Sequence, residues 1–401
     1  MRKIVIINTF ENGSTGKICL NLKELAEKEG FYVNFFCEKW KNKNKNTNLE
    51  YLGSKYGNYY SAQMGKLGFK STFFNRLNTK RLISRINELN PDVVHVHNLH
   101  NNYLDLKMFF SFLKNKKIKV IWTLHDCWAF TGRCPYFTLL NCSKWKSGCN
   151  NCDYSKKLYP QTFFDNSKSS WNYKKDCFLG FKELIIVTPS QWLADLVKES
   201  FLNAYPIITI NNGIDTAIFK PTSSSFREKF GISPNKNVLL GVAFDWGYRK
   251  GLDVFVKLSK RLSDDYQIVL VGTNEKTDKV LPKNIISIHR TNNQKELAEI
   301  YSSADLFINP TREENYPTVN MEAIACGTPV VTFKTGGSPE IIDDKTGRVV
   351  ECNDVDNLIK EIIDICENQK IKRENCIKRG KEFDSHGRFQ LYLNLYKSSI
   401  E

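Results

Sequence analysis

The sequence predicts an α/β protein of two Rossmann-like domains, each built on its own parallel sheet, and three observations predict it. The chain has 401 residues, about twice the usual domain size. Short β-rich apolar runs alternate with amphipathic stretches of helical period, which is the pattern of parallel α/β layers. Charge also divides the chain: residues 1–205 hold 31 Lys+Arg against 16 Asp+Glu, while residues 206–401 hold 27 of each, so the first half carries the whole net +15. A hydrophobic fraction of 41% with 12% aromatics can fill two cores and excludes a disordered chain. No apolar run approaches the ~18 residues of a spanning helix. Met1-Arg2-Lys3 precedes only the short apolar run Ile4 to Ile7, too short for a signal-peptide core, so a cytosolic chain is expected.

The elements follow in order. Lys3–Asn8 reads as a buried strand, followed by a Gly-containing turn and a helix near Gly16–Glu29, with Phe31–Cys37 as the second strand. Lys41–Asn48 is rich in Lys and Asn, lacks periodicity and reads as a surface loop. Arg81–Leu89 is a helix, Val93–Val96 and Val120–Leu124 are strands, and Leu184–Thr188 with Gln191–Phe201 make a further strand–helix step. Asn211-Asn212-Gly213 and Lys220-Pro221 are turn chemistry at the charge boundary, which places the domain junction there. A second series then runs through strand Asn237–Ala243, helix Leu252–Leu262, strands Gln267–Val271 and Ile285–Ile288, helix Lys295–Ser302 and strand Leu306–Asn309. Helix Pro317–Cys326 opens on a proline, which suits a first helical turn. Pro329–Phe333 is a strand, and helices fill most of Asp354–Ile400. Two such domains are expected to leave a cleft at the carboxyl ends of their strands, where open α/β sheets bind ligands.

One stretch carries the chemistry: Pro310-Thr-Arg-Glu-Glu-Asn-Tyr-Pro-Thr-Val-Asn-Met-Glu322. Glu314 falls in the loop after a strand and Glu322 in the helix that follows. The N-terminus of that helix offers free N–H groups and a positive dipole end to a phosphate, and a carboxylate can grip ribose hydroxyls. The bland alternative is a pair of solvent-facing glutamates.

The stretch Pro310–Val331 resembles the signature of retaining glycosyltransferases of family 4, which have the GT-B fold. Thr188-Pro-Ser-Gln-Trp-Leu-Ala194, the crossover Asn212–Pro221, Gly336-Gly-Ser-Pro-Glu340 and Gly13-Ser-Thr-Gly16 match further segments of that family, in its order. Trp122-Thr-Leu-His-Asp-Cys-Trp-Ala-Phe-Thr-Gly-Arg-Cys134 is similar to members serving capsular, colanic-acid-type or O-antigen polysaccharide synthesis. The resemblance implies residues 1–210 as an acceptor-binding domain with a Cys-rich insertion at about 127–160, and 211–385 as the nucleotide-sugar donor domain. Residues 386–401 form a C-terminal helix able to pack back on the first domain. It implies that Glu314 contacts the donor sugar and Glu322 the ribose, and that the backbone at Asn315 and Tyr316 approaches the sugar hydroxyls, although this pair departs from the family's Gly-Phe. Lys250 matches the lysine that neutralises the leaving diphosphate, where fixed cations stabilise developing charge. The family's preceding arginine is missing, since Ala243-Phe244-Asp245 stands there, and Arg249 is the residue placed to compensate.

His125 follows a buried strand; by resemblance it faces the donor sugar and acceptor. His95 and His97 alternate on one strand and read as structural, with His100 near the acceptor. Gly13-Ser-Thr-Gly-Lys17 is not a P-loop, because residue 11 is Glu and residue 18 is Ile. Gly13 and Gly16 instead let backbone approach the donor diphosphate or acceptor. Cys134, Cys142, Cys149 and Cys152 suit a structural zinc, with free thiols on an insertion as the equal alternative. No Asp-x-Asp motif stands out, so catalysis is expected to need no cofactor. Lys66, Lys70 and Arg76 lie among aromatics in Lys55–Arg85, a basic segment that can rest on anionic lipid or simply be a solvated helix pair.

The expectation is therefore a metal-independent, retaining glycosyltransferase, cytoplasmic and peripheral on the inner face of the membrane. It takes a nucleotide-sugar donor and a lipid-linked saccharide acceptor in surface polysaccharide synthesis. An epimerase of the same fold is the runner-up. A nucleic-acid binder would explain the charge but leaves Glu314, Glu322 and Lys250 without a purpose, so nucleic acid is not expected as a partner.

Overall fold

The computed structural model describes residues 1–39, 48–116, 118–152, 164–368 and 370–400. The chain forms two compact units, one of residues 1–210 with 389–401 and the other of residues 211–388. The loop expected at Lys41–Asn48 lies outside the described residues except for Asn48.

The first unit holds a seven-stranded sheet. Its strands are β1 (Lys3–Phe10), β2 (Tyr32–Lys39), β3 (Leu49–Tyr51), β4 (Val93–Val96), β5 (Lys119–Thr123), β6 (Leu184–Thr188) and β7 (Ile207–Thr209). They pair in parallel in the order β3-β2-β1-β4-β5-β6-β7. Alternation along β1 sends Val5 and Ile7 into the core on one face and Ile4 and Ile6 into the core on the other. Phe389, Tyr392, Leu393 and Tyr396 complete that second core, where they are buried with Ile4, Ile6 and Val33.

The second unit holds a six-stranded sheet: β8 (Asn237–Val242), β9 (Tyr266–Val271), β10 (Ile285–Ile288), β11 (Leu306–Asn309), β12 (Val330–Phe333) and β13 (Gly347–Val350). Its order, β10-β9-β8-β11-β12-β13, is again all parallel. In both sheets the strand order reverses once, between β1 and β4 and between β8 and β11. Loops leaving the strands at such a switch point diverge and open a crevice for a ligand.

Several elements escaped the sequence pattern. Helix Phe73–Leu89 starts two turns earlier than expected because Thr72 and Asn75 form a reciprocal cap, with Asn75 N–H donating to Thr72 Oγ1 at 3.2 Å and Thr72 N–H to Asn75 Oδ1 at 2.8 Å. The first helix runs Gly13–Lys28, so Gly13 and Gly16 stand in its first turn rather than in a preceding loop. Strands β3, β7 and β13 are only three or four residues long and too short to show a period. Helices Leu106–Lys116 and Ser167–Phe178 were also missed. Asp354–Ile400 resolves into helices Val355–Asn368, Arg373–Gly380 and Ser385–Ile400. Among the described residues no helix is long and apolar enough to cross a membrane.

Candidate functional site

In the second unit the switch point is built by the loops after β8 and β11. After β8, a short 3-10 turn carries Tyr248–Lys250 and ends on Gly251 at φ +75°. A Cβ there would sit 2.4 Å from the Pro310 carbonyl oxygen, so only glycine lets the two loops approach. The contact is held by Arg312, whose side chain is 3% exposed. Its guanidinium forks onto Asp253 at 2.7 and 2.8 Å, donates to Asn353 Oδ1 and to the Tyr248 carbonyl, and lies 3.9 Å from the centre of the Tyr248 ring. A bidentate fork of this kind fixes direction as well as distance.

The consequence is that Lys250 Nζ meets Glu314 Oε2 at 2.6 Å, both side chains being largely buried. Glu314 Oε1 also accepts from the Asn315 N–H at 3.0 Å. Burial pushes the Glu314 carboxyl up, but Lys250, by charge and by hydrogen bond, together with the Asn315 N–H and Arg249, outweighs it and holds the group below the usual carboxylate range. Gly336, at φ +55°, passes so close that a Cβ would lie 1.9 Å from the Glu314 carbonyl oxygen, and the Gly337 N–H donates to the Asn315 carbonyl at 2.6 Å. Asn315 and Tyr316 are themselves buried, and both backbone groups of Asn315 are used internally. Arg249 donates to the Glu313 carbonyl at 3.3 Å. Glu322, half-buried on helix Thr318–Ala325, accepts from the Tyr301 hydroxyl at 3.1 Å.

In the first unit the loops after β4 and β5 bring a different set together. His97, His100, His125, Asp126 and Trp128 line one small cavity. His97 Nδ1 stands 2.9 Å from His125 Nε2, with the two rings nearly parallel. His100 Nε2 is 3.3 Å from Asp126 Oδ2, and its ring stacks on Trp128. Burial, with a smaller contribution from His100, pulls His125 down to about 4 despite the opposing Asp126 carboxylate, so the ring is neutral near pH 7.

A family model described as Glycosyltransferase Family 4 matches residues 15–218, and one described as Glycosyl transferases group 1 matches residues 222–383. The chain belongs to glycosyltransferase family 4. This glycosyltransferase is 28% identical over 306 residues to the putative colanic acid biosynthesis glycosyl transferase WcaC of Escherichia coli K12, an alignment covering 71% of this chain and 72% of that one. Other curated relatives it matches are spanned over about half of their length. Among solved structures, sucrose-phosphate synthase of Thermosynechococcus elongatus superposes with TM-score 0.73 at 15% identity, covering 99% of each chain. HepE of Anabaena in complex with UDP-glucose superposes with TM-score 0.69 at 14% identity, covering 99% of this chain and all of that one. These structures fix the fold as GT-B.

The remaining expected residues of this glycosyltransferase lie apart from both crevices or serve other ends. Lys66 and Arg76 are exposed, whereas Lys70 is half-buried, donating to Ser169 Oγ at 3.1 Å beside the Tyr173 ring. The Cys-rich segment is packed around Trp145, which lies between Phe130 and Phe137, donates to the Cys142 carbonyl and accepts from Trp171 Nε1. Among the described residues no three His, Cys, Asp or Glu side chains converge as a metal-holding group. Sequence reasoning missed Arg312, Tyr301 and Asp126, and it read His97 as structural. Arg312 lay inside the quoted motif, but its partner Asp253 is 59 residues away and nothing local marked the pair.

Proposed function

We propose that this glycosyltransferase moves a sugar from a nucleotide-diphosphate donor to a lipid-linked saccharide, with retention at the anomeric carbon, in the synthesis of a bacterial surface polysaccharide. The observation that carries the reading is the Lys250–Glu314 pair at 2.6 Å, held at the β8/β11 switch point by Arg312. A lysine ammonium has three N–H groups and Glu314 takes one, so Lys250 keeps donors for a phosphate oxygen. As the sugar–phosphate bond breaks, charge develops on the diphosphate and Lys250 with Arg249 stabilises it, so no divalent ion is required. Glu314 then addresses the donor sugar and Glu322 the ribose, with His125 at the reacting centre. The colanic-acid relative supports a part in polysaccharide synthesis, and the UDP-glucose complex of HepE supports a nucleotide-sugar donor.

The membrane reading rests on helices Lys55–Lys66 and Phe73–Leu89 and the connection between them, where Tyr56, Tyr59, Phe69 and Phe73 are exposed, as are Lys66 and Arg76. Aromatic rings with cations around them suit the headgroup region of an anionic inner leaflet. A structural zinc at Cys134, Cys142, Cys149 and Cys152 belongs to the same proposal. Cys149 Sγ accepts from the Gly132 N–H at 3.1 Å and burial raises its thiol to about 11, so as arranged here the four thiols do not form a metal-holding group, and the zinc proposal rests on their spacing in the sequence. About one metal equivalent, lost in Cys149→Ser, is expected from elemental analysis; equal metal content in both proteins would overturn it. The function is tested with a panel of nucleotide sugars scored by thermal shift and by product analysis on a lipid-linked acceptor. Transfer with retained configuration is expected, and conversion of a donor to its epimer without acceptor would overturn the reading.

A further inference from the structure

His97 lies beyond the last residue of β4, and its backbone is held on both sides. Its N–H donates to the Ile7 carbonyl at 2.8 Å, and its carbonyl accepts from buried Trp122 Nε1 at 3.0 Å. The ring is 1% exposed and sits 4.1 Å, centre to centre, from that of His95. His95 has partners on both nitrogens: Tyr396 hydroxyl at 2.6 Å and Thr123 Oγ1 at 2.8 Å. It is thereby a fixed wall. His97 has a partner on Nδ1 alone, namely His125 Nε2 at 2.9 Å, while its own Nε2 is buried with none.

One proton lies between these two rings, and neutral imidazoles can place it in two ways. If His125 Nε2 carried it, His97 would have to carry its own proton on Nε2, leaving a buried N–H with no acceptor. Orphaned buried donors are the rarer kind of unsatisfied group and are destabilising. If His97 carries its proton on Nδ1, it donates to His125 Nε2 and leaves only a bare lone pair on its own Nε2. A doubly protonated His97 would place a full charge in the core, which burial, and less strongly His95 and His125, oppose.

We propose that His97 is a positioning residue that holds His125 in the tautomer protonated on Nδ1, through the hydrogen bond from His97 Nδ1 to His125 Nε2. The inference rests on the reading that puts His125 at the reacting centre, and it says which nitrogen of His125 carries the proton. A donor aimed at a sugar hydroxyl or a developing charge is useful only if the proton stays on that nitrogen, and a neighbouring group that sets the tautomer supplies this. Among the described residues, the charged or titratable groups that bear on the pair include His95, His100 and Asp126. The His100–Asp126 contact at 3.3 Å occupies the flank of the cavity.

The test is nitrogen NMR on the full chain labelled with 15N-histidine, the signals assigned by single histidine substitutions. His125 is expected to show a protonated Nδ1 and a bare Nε2, unchanged on lowering the pH from about 8 to about 5.5, below the free imidazole value of about 6.5. His97→Asn can place an amide N–H where Nδ1–H stands, so it is expected to hold kcat within about threefold of the unsubstituted enzyme. His97→Leu removes the donor; kcat is expected to fall about 10–100-fold with donor KM little changed, and an acid limb should move up toward neutral pH as His125 becomes easier to protonate. His125 protonated on Nε2 in the unsubstituted enzyme would overturn the proposal. So would a His97→Leu enzyme with unaltered kcat, pH profile and His125 tautomer. If the tautomer is as stated but His125→Ala keeps full turnover, the reading of His125 at the reacting centre fails while the imidazole pair stands. Should His97→Leu fail to fold, the unsubstituted spectrum and His97→Asn still decide.

Discussion

At the β8/β11 switch point the chain keeps charge: Lys250 and Glu314 in contact at 2.6 Å, with Arg312 forked on Asp253 behind them. At the corresponding β1/β4 edge of the other unit it keeps neutral rings, His97 against His125 at 2.9 Å with His95 at 4.1 Å, centre to centre, behind. The strand order around the two points is the same. What differs is how burial is compensated. In the second unit Lys250 faces Glu314 and Arg312 faces Asp253, so Glu314 stays ionised. In the first, the imidazoles face one another and burial drives them neutral: His95 falls to about 3 and His125 to about 4, desolvation being the main cause in each. One topology thus presents fixed charge suited to a diphosphate and uncharged donors suited to hydroxyls.

The largest effect should come from breaking the charged side. Lys250→Ala or Glu314→Ala is expected to lower transfer by about 10²–10³-fold, with circular dichroism unchanged; near-normal turnover in either would remove the pair from the reaction. Acid should separate the two units more gently. His95 and His125 have depressed folded values, so each binds a proton more readily once unfolded. Their contribution is complete above about pH 6.5 and declines as pH falls toward the folded values, by about 1.4 kcal/mol per pH unit for each ring. Glu314 is also depressed, but from the carboxylate range, so its contribution is kept until pH falls below about 4.3. Calorimetry from about pH 7 to about pH 5 should show a transition involving the first unit moving down ahead of the second; transitions that shift together would contradict the contrast. The smallest effect belongs to the basic face of the first unit. Lys66→Gln and Arg76→Gln, both exposed, should each weaken binding to anionic vesicles by about 1 kcal/mol, roughly fivefold, and vesicle binding unaltered by both would refute the docking face.

The strands legible in the sequence were those long enough and apolar enough to be unmistakable, β1 and β8 among them. Those missed were edge strands such as β3 and β13, whose identity comes from the neighbour they pair with. The candidate site divides in the same way. Glu314, Glu322, Lys250 and His125 were legible because they sit in runs whose residue order resembles a known family. Arg312 and His97 were not, since their partners lie 59 and 28 residues away and no local spacing marks a contact across loops.

By itself, then, the sequence determined the alternating α/β plan, the uneven charge and the acidic motif. All of these follow from composition, period or residue order along the chain. Only the tertiary structure decided that Lys250 is ion-paired to Glu314, that Arg312 is the clamp between two loops, and that His97 bonds His125 and not the bulk of the core. Hydrogen bonds and buried charges are settled by which side chains meet after folding, and the energy of each depends on the water that its neighbours exclude.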